Sequence, residues 1–227
     1  MKKPLLEFTD RGIYCQAADV YLDPWKPVKR ALITHGHSDH SRPGNGEYIT
    51  QKENIPIISH RLGTLNALGM EWGESIQIRG VRFSFHPSGH IVGASQIRVE
   101  HQGEVWVFTG DYKTAGDGLA TPLEPIRCHT FITECTFGLP AFSWQPQAKV
   151  LEDINTWWKQ VQNNGRTAVL FAYSLGKAQR LLMHLDQNIG AVYTHGAIEN
   201  MNEVIRKIKP LPLSVRITRE TTAKELS

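Results

Sequence analysis

The 227-residue sequence is short of cysteine, of long hydrophobic runs and of charge of one sign. Three cysteines, Cys15, Cys128 and Cys135, are too few and too scattered for a disulfide framework, and no two form a C-x-x-C pair. A reducing compartment is the expectation. No apolar stretch approaches the roughly 20 residues that a membrane-spanning helix requires. At the start, MKKPLLEFTD carries two lysines, but Glu7 and Asp10 interrupt the apolar core that a secretory signal needs. We therefore expect a cytoplasmic protein without a membrane partner. Lys and Arg total 25 against 22 Asp and Glu, a net charge of +3, which permits a polyanionic partner without demanding one. Repeats and low-complexity tracts are absent too.

What is present divides in two. The first half reads as short strands broken by turns, at 5–8, 12–16, 18–22, 30–34, 76–79, 81–86, 94–100 and 104–109. The last two read as a hairpin across His101, Gln102 and Gly103. A helix is expected over 59–68. After residue 140 the pattern changes. Val150, Leu151, Ile154, Trp157, Trp158 and Val161 recur at helical spacing over 146–163. Strands are expected at 167–172 and 190–194, and helices at 175–187 and 197–208. Early strands followed by β-α alternation indicate an α/β protein of two regions, 1–140 and 141–227, parted near Gly138, Leu139 and Pro140.

The chemistry concentrates in LITHGHSDHSRP, where the apolar run Ala31, Leu32, Ile33 ends in His35, His37, Asp39 and His40. In an extended loop residues i and i+2 point the same way, so His35 and His37 can share one metal ion, and Gly36 allows a tight turn. Ser38 and Asp39 read as a helix start from which Asp39 and His40 face a second ion. Imidazoles with a carboxylate suit zinc or a similar divalent cation, manganese included. HPSGHIVGA offers His90, and VFTGDYK offers Asp111 at a strand end, where a carboxylate can bridge two ions. A lone histidine would read as an ordinary surface or core residue. That reading is kept for His60, His86, His101, His129 and His184.

In this order HGHSDH, SGH, TGD and TECTFG resemble the metallo-β-lactamase superfamily. The H-x-H-x-D-H run alone would equally fit a thioesterase of the glyoxalase II kind. TECTFG followed by GRTAVLFAYSLGKAQRLL is similar to the β-CASP nucleases. FTGDYK, FITECTFGLPAF and FAYSLGKAQR with YTHGAIE are similar to the bacterial ligase-associated DNA exonucleases, also described as mRNA 3′-end processing factor-like. The resemblance runs from about residue 5 to about residue 212. It implies an αββα sandwich of the metallo-β-lactamase type, incomplete at the C-terminus, carrying part of an inserted β-CASP α/β domain. It also implies a metal-dependent exonuclease in DNA repair with two divalent ions. His35, His37 and His90 would hold one ion, Asp39 and His40 the other, and Asp111 would bridge. Asp39, Asp111 and Glu134 would serve catalysis, and DNA would be the substrate, with RNA as the alternative. An ATP-dependent DNA ligase and a helicase are the implied partners.

Two departures stand out. Cys135 replaces the serine usual after the acidic Glu134, and reads as a small buried filler. The two further C-terminal histidines of the family have no counterpart here. Thr194-His195-Gly196 echoes Thr34-His35-Gly36 but lacks the second histidine and the aspartate, so His195 reads as structural. The expectation is a weaker second ion and, as a reading from another class, a chain that binds nucleic acid or a partner without cutting. Lys177 and Arg180, with Lys26, Lys29, Arg30 and Arg42, are the candidate phosphate contacts.

Overall fold

The structure, a computed structural model, describes residues 3–222 and Glu225. The chain divides into two compact units, Met1–Glu134 and Cys135–Ser227. No helix among the described residues is long and apolar enough to cross a membrane.

In the first unit, β1 (Glu7–Thr9), β2 (Gly12–Cys15), β3 (Val20–Leu22), β4 (Arg30–Ile33), β5 (Glu47–Gln51) and β6 (Ala67–Met70) form one sheet in that order. Its first three strands run antiparallel, and β3 to β6 are parallel. Helix α1 (Asn54–Leu62) connects β5 to β6. The second sheet holds β7 (Ser75–Ile78), β8 (Val81–Pro87), β9 (Ser95–His101), β10 (Glu104–Phe108) and β11 (Thr130–Ile132), ordered β11-β10-β9-β8-β7. Period-two alternation sorts the faces. Leu22, Leu32 and Ile49 of the first sheet meet Phe83, Phe85, Ile97 and Val99 of the second in one core. Ala31, Ile33 and Tyr48 point the other way and pack with Ile58 of α1. A parallel strand buried on both faces needs an unbroken apolar run, and β4 has one. The unit thus has three layers, α1 and two packed sheets.

Most expected strands form within a residue or two. The β9–β10 hairpin closes on Gln102 and Gly103, both with positive φ (50° and 79°), the two-residue turn that matches strand twist. The helix expected over 59–68 lies instead at Asn54–Leu62, ended by Gly63 at φ 86°. Ala67–Met70 is a strand because it completes the parallel edge beside β5. Neither β5 nor β11 was expected. β5 ends in the buried polar pair Thr50 and Gln51, which hides its strand pattern. Ser38 and Asp39 start no helix: a single turn forms, with Ser41 N–H donating to His37 O at 2.9 Å.

The second unit contains α2 (Gln147–Asn163), α3 (Lys177–His184), β12 (Tyr193–Thr194), α4 (Gly196–Arg206) and β13 (Val215–Arg216). β12 and β13 pair in parallel, with α4 as their crossover. The buried Glu199 ties them together. It accepts from Thr194 Oγ1 at 2.7 Å, from Asn202 Nδ2 at 3.1 Å, and from Ser214 Oγ and Arg206 Nη1. The expected strand at 167–172 belongs to no ladder. Together with residues 190–194 it lines a cavity of about 640 Å³. Of 190–194 only Tyr193–Thr194 is a strand.

Candidate metal centre

Three loops at strand ends bring the expected ligands together. His35, His37 and His40 follow β4, His90 follows β8, and Asp111 follows β10. Two glycines make the approach possible. Gly110 has φ 53°, and a Cβ there would lie 2.6 Å from Thr34 Oγ1. Gly89 has φ 75°, and a Cβ there would lie 2.3 Å from the carbonyl oxygen of Lys113. The SGH and TGD glycines are thus required by space as well as by backbone conformation. Arg61 of α1 clamps the first loop, donating from Nη1 to Gly36 O and to Ser41 Oγ, each at 2.7 Å.

His37 Nδ1 lies 3.0 Å from His35 Nε2 and 3.1 Å from His90 Nε2. Asp111 Oδ2 is 3.6 Å from His35 Nε2 and 3.4 Å from His90 Nε2. These four residues offer ligand atoms that all lie within 4.8 Å of one another. A tetrahedral zinc with bonds of about 2.0–2.1 Å sets its ligand atoms about 3.3–3.4 Å apart, so the set fits the ion. The other carboxylate oxygen, Asp111 Oδ1, faces His40 Nε2 at 3.1 Å. Asp111 therefore addresses the three-histidine set with one oxygen and His40 with the other. Asp39 Oδ2 is 3.6 Å from His40 Nε2, but its side chain is 70% exposed. It stands at the mouth rather than in the buried cluster.

Sequence reasoning missed Asp23, which follows β3 directly. Buried, it accepts from Thr34 N at 2.7 Å, from Thr34 Oγ1 at 2.5 Å and from His40 Nδ1 at 2.7 Å. Thr34 Oγ1, having given its proton to Asp23, accepts from His35 Nδ1 at 3.0 Å. One carboxylate thus sets two imidazoles, each with Nε2 turned toward Asp111. A carboxylate at the end of a neighbouring strand was the available signal. Asp23, His35 and His40 also lie close enough to form a ligand group, but both Asp23 oxygens already hold hydrogen bonds.

The charge states follow from burial and neighbours. Burial, with the other imidazoles, pushes His35 well below its ordinary value. Burial and then His37 lower His90 to about 4. Burial alone would lower His40 as well, but the Asp23 and Asp111 carboxylates outweigh it and raise it to about 11. Burial raises Asp111, yet the His40 hydrogen bond and the surrounding imidazoles bring it below the ordinary carboxylate value. In the metal-free chain His35 and His90 thus offer lone pairs, whereas an ion must displace a proton from His40.

Glu134 accepts from Tyr112 N at 3.2 Å, and its charge favours protonation of His90. Lys177 and Arg180 belong to the second unit. Lys177 Nζ lies 5.7 Å from the centre of the Tyr173 ring, and Arg180 donates to Gln147 Oε1. Lys26 pairs with Asp10 at 3.0 Å and Arg30 with Glu47, while Arg42 donates to Asp39 O at 3.5 Å. His195 caps α4, its Nδ1 accepting from Ala197 N at 3.2 Å. Cys135 is exposed rather than a buried filler, because the chain leaves the core after Glu134 and residues 136–146 are exposed too.

No family model matches the chain. A probable DNA ligase of Opitutus terrae is 31% identical over 197 residues, 85% of this chain and 19% of that protein. Endoribonuclease ysh1 of Schizosaccharomyces pombe is 33% identical over 124 residues, 52% of this chain and 16% of that protein. The chain therefore spans about a fifth or less of the length of these relatives. A crystal structure titled as a protein of unknown function, from Enterococcus faecalis, superposes with a TM-score of 0.62 at 15% identity. It covers 85% of this chain and 52% of that one, a likeness of fold. With the order of HGHSDH, SGH, TGD and TECTFG, these similarities show that the chain belongs to the β-CASP nuclease group of the metallo-β-lactamase superfamily.

Proposed function

We propose that the chain carries the metal centre of a phosphodiester-cleaving nuclease of the ligase-associated exonuclease type, acting on DNA in repair. The observation that carries this reading is the convergence of His35, His37, His90 and Asp111 within 4.8 Å, with the second oxygen of Asp111 turned to His40. His35, His37, His90 and Asp111 would hold one divalent ion, zinc or manganese, and His40, Asp39 and Asp111 a second. Bound there, such ions would supply Lewis acidity toward phosphoryl oxygens and toward a nucleophilic water. The residues of the chain do the positioning. Asp23 and Thr34 fix His35 and His40, and Arg61 holds the loop that carries His37. Glu134 anchors the backbone next to Asp111 through Tyr112 N–H.

The similarity to a protein named a probable DNA ligase supports DNA as substrate and a DNA ligase as a partner, and a helicase partner is proposed on the sequence resemblance alone. Its similarity to endoribonucleases supports the second reading, RNA processing. The test mixes end-labelled single-stranded DNA and RNA of matched sequence with the chain and zinc or manganese. Metal-dependent cutting that is lost in Asp111→Ala is the expected result, and the preferred strand chooses between the two readings. A folded, metal-loaded chain that cuts neither strand sinks the nuclease assignment and leaves a binding role.

A further inference from the structure

Just after Glu134 the chain exposes three aromatic rings. Phe137 is 57% exposed, Phe142 44% and Trp144 69%. Large rings normally bury their area, and these remain partly in solvent while packing on one another. Phe137 meets Phe142 and Trp144 edge-to-face, at centroid distances of 5.1 and 5.0 Å. Phe142 and Trp144 are nearly parallel, 9° apart, with centroids separated by 6.3 Å. That is short of the roughly 7 Å that a planar ring sandwiched between two others would occupy, twice the optimal carbon–carbon separation. Behind Phe137 the chain turns tightly, with Gly138 N donating to Cys135 O at 3.2 Å. The cluster is thus prearranged, with two parallel faces and a third ring bracing both.

The charge around it is as informative. From Thr136 to Ala148 the sequence has no charged residue, so no carboxylate in that stretch repels a polyanion. At the far end of the same stretch Gln147, three residues after Trp144, accepts from the Arg180 guanidinium, which ties a permanent cation to the segment that carries the rings. Aromatic faces and a tethered cation on one segment free of acids are the elements of a surface for unpaired bases and their phosphates.

We infer that Phe137, Phe142 and Trp144 form a stacking platform for the bases of single-stranded nucleic acid, with Arg180 receiving a phosphate. This rests on the nuclease reading and adds to it that the strand is gripped through its bases, without reading their sequence. Every base has a π-face, so the platform tolerates any sequence and disfavours duplexes, whose bases are already stacked.

The test measures binding, not cutting. The full chain in chelator is titrated into a labelled oligothymidylate of about 12 nucleotides and into an abasic strand of equal length and charge, read by fluorescence anisotropy. Trp144→Ala and Phe142→Ala should each weaken oligothymidylate binding at least about fivefold and leave abasic binding unchanged. Trp144→Phe should restore most of the loss, and circular dichroism checks that each variant is folded. Three results overturn the inference: no loss in the alanine variants, an equal loss on both probes, or no binding by the parent. A patch that docks a protein instead gives the first or the last. Cleavage is scored separately with Asp111→Ala as control. Ring-dependent binding without cutting sinks the nuclease reading alone, and cutting without ring-dependent binding sinks the platform alone.

Discussion

Replacing Asp23 with Asn keeps the shape of the side chain and reverses two of its three hydrogen bonds. The carboxylate now accepts from Thr34 N, Thr34 Oγ1 and His40 Nδ1, at 2.5–2.7 Å. In the amide, one oxygen still accepts from Thr34 N, but the nitrogen facing Thr34 Oγ1 and His40 can only donate. Thr34 Oγ1 must then accept, and its proton turns to His35 Nδ1, 3.0 Å away. That leaves the ring proton of His35 on Nε2, aimed at His37 and Asp111. His40 Nδ1 must also accept, which fixes its proton on Nε2. One exchange of oxygen for nitrogen thus takes the lone pair from two candidate ligands. Losing a charge-assisted buried hydrogen bond should cost about 1.5–3 kcal/mol of stability. Loss of a single orienting partner typically weakens metal binding about 10- to 100-fold, and with two ligands affected we expect the upper end. The assay is calorimetric titration of the metal-free variant with zinc, alongside urea unfolding without metal. Asp23→Ala, which removes all three bonds and leaves His40 without its partner, should cost about 3–5 kcal/mol. Parental zinc affinity in Asp23→Asn would refute the argument that Asp23 sets the two imidazoles.

Three further outcomes follow from the same contacts. Glu199 is buried, which opposes ionisation, but Arg206 and three further side-chain hydrogen bonds hold its pKa near 2 against an ordinary 4.5. A depressed carboxylate stabilises fully above its unfolded value and loses that contribution as pH falls through the folded one. The second unit should therefore lose about 3 kcal/mol between pH 5 and pH 2, and Glu199→Gln should flatten that acid limb in urea titrations. Equilibrium dialysis followed by elemental analysis should find one ion held more tightly than the other, because Asp39 is 70% exposed while His35 is fully buried. Equal retention of two ions would contradict the geometry. Gly110→Ala should cost about 2–4 kcal/mol, since its φ is 53° and the added methyl group would meet Thr34. Urea unfolding compared with Gly116→Ala, where a Cβ meets nothing within 4 Å, isolates the effect.

The candidate site was largely legible because most of its ligands are contiguous and each lies at the end of an apolar strand. His35, His37 and His40 needed only one loop to converge, and the strands before His90 and Asp111 belong to the sheet packed on theirs. Asp23 was illegible because its role exists only across strands. Its carboxylate meets Thr34 through the parallel pairing of β3 with β4, which no local pattern announces. The strand β5 was hidden for a related reason. Thr50 and Gln51 look like loop residues, yet Thr50 Oγ1 donates to Ile33 O at 2.7 Å and accepts from Asn54 Nδ2 at 2.8 Å, so its burial is satisfied. Segment 167–172 departs in the opposite sense. Its composition reads as a buried strand, but a strand exists only with a neighbour, and among the described residues none of its backbone groups joins a ladder.

The central claim is that His35, His37, His90 and Asp111 form a metal centre shared through Asp111 with His40. Crystals of the chain soaked in zinc, with diffraction recorded on both sides of the zinc absorption edge, test it most directly. The account predicts a strong anomalous peak within bonding distance, about 2.0–2.2 Å, of His35 Nε2, His37 Nδ1, His90 Nε2 and Asp111 Oδ2. A weaker second peak should lie between His40 Nε2 and Asp111 Oδ1. Absence of a peak at the three histidines, or a peak bound only elsewhere, would contradict it.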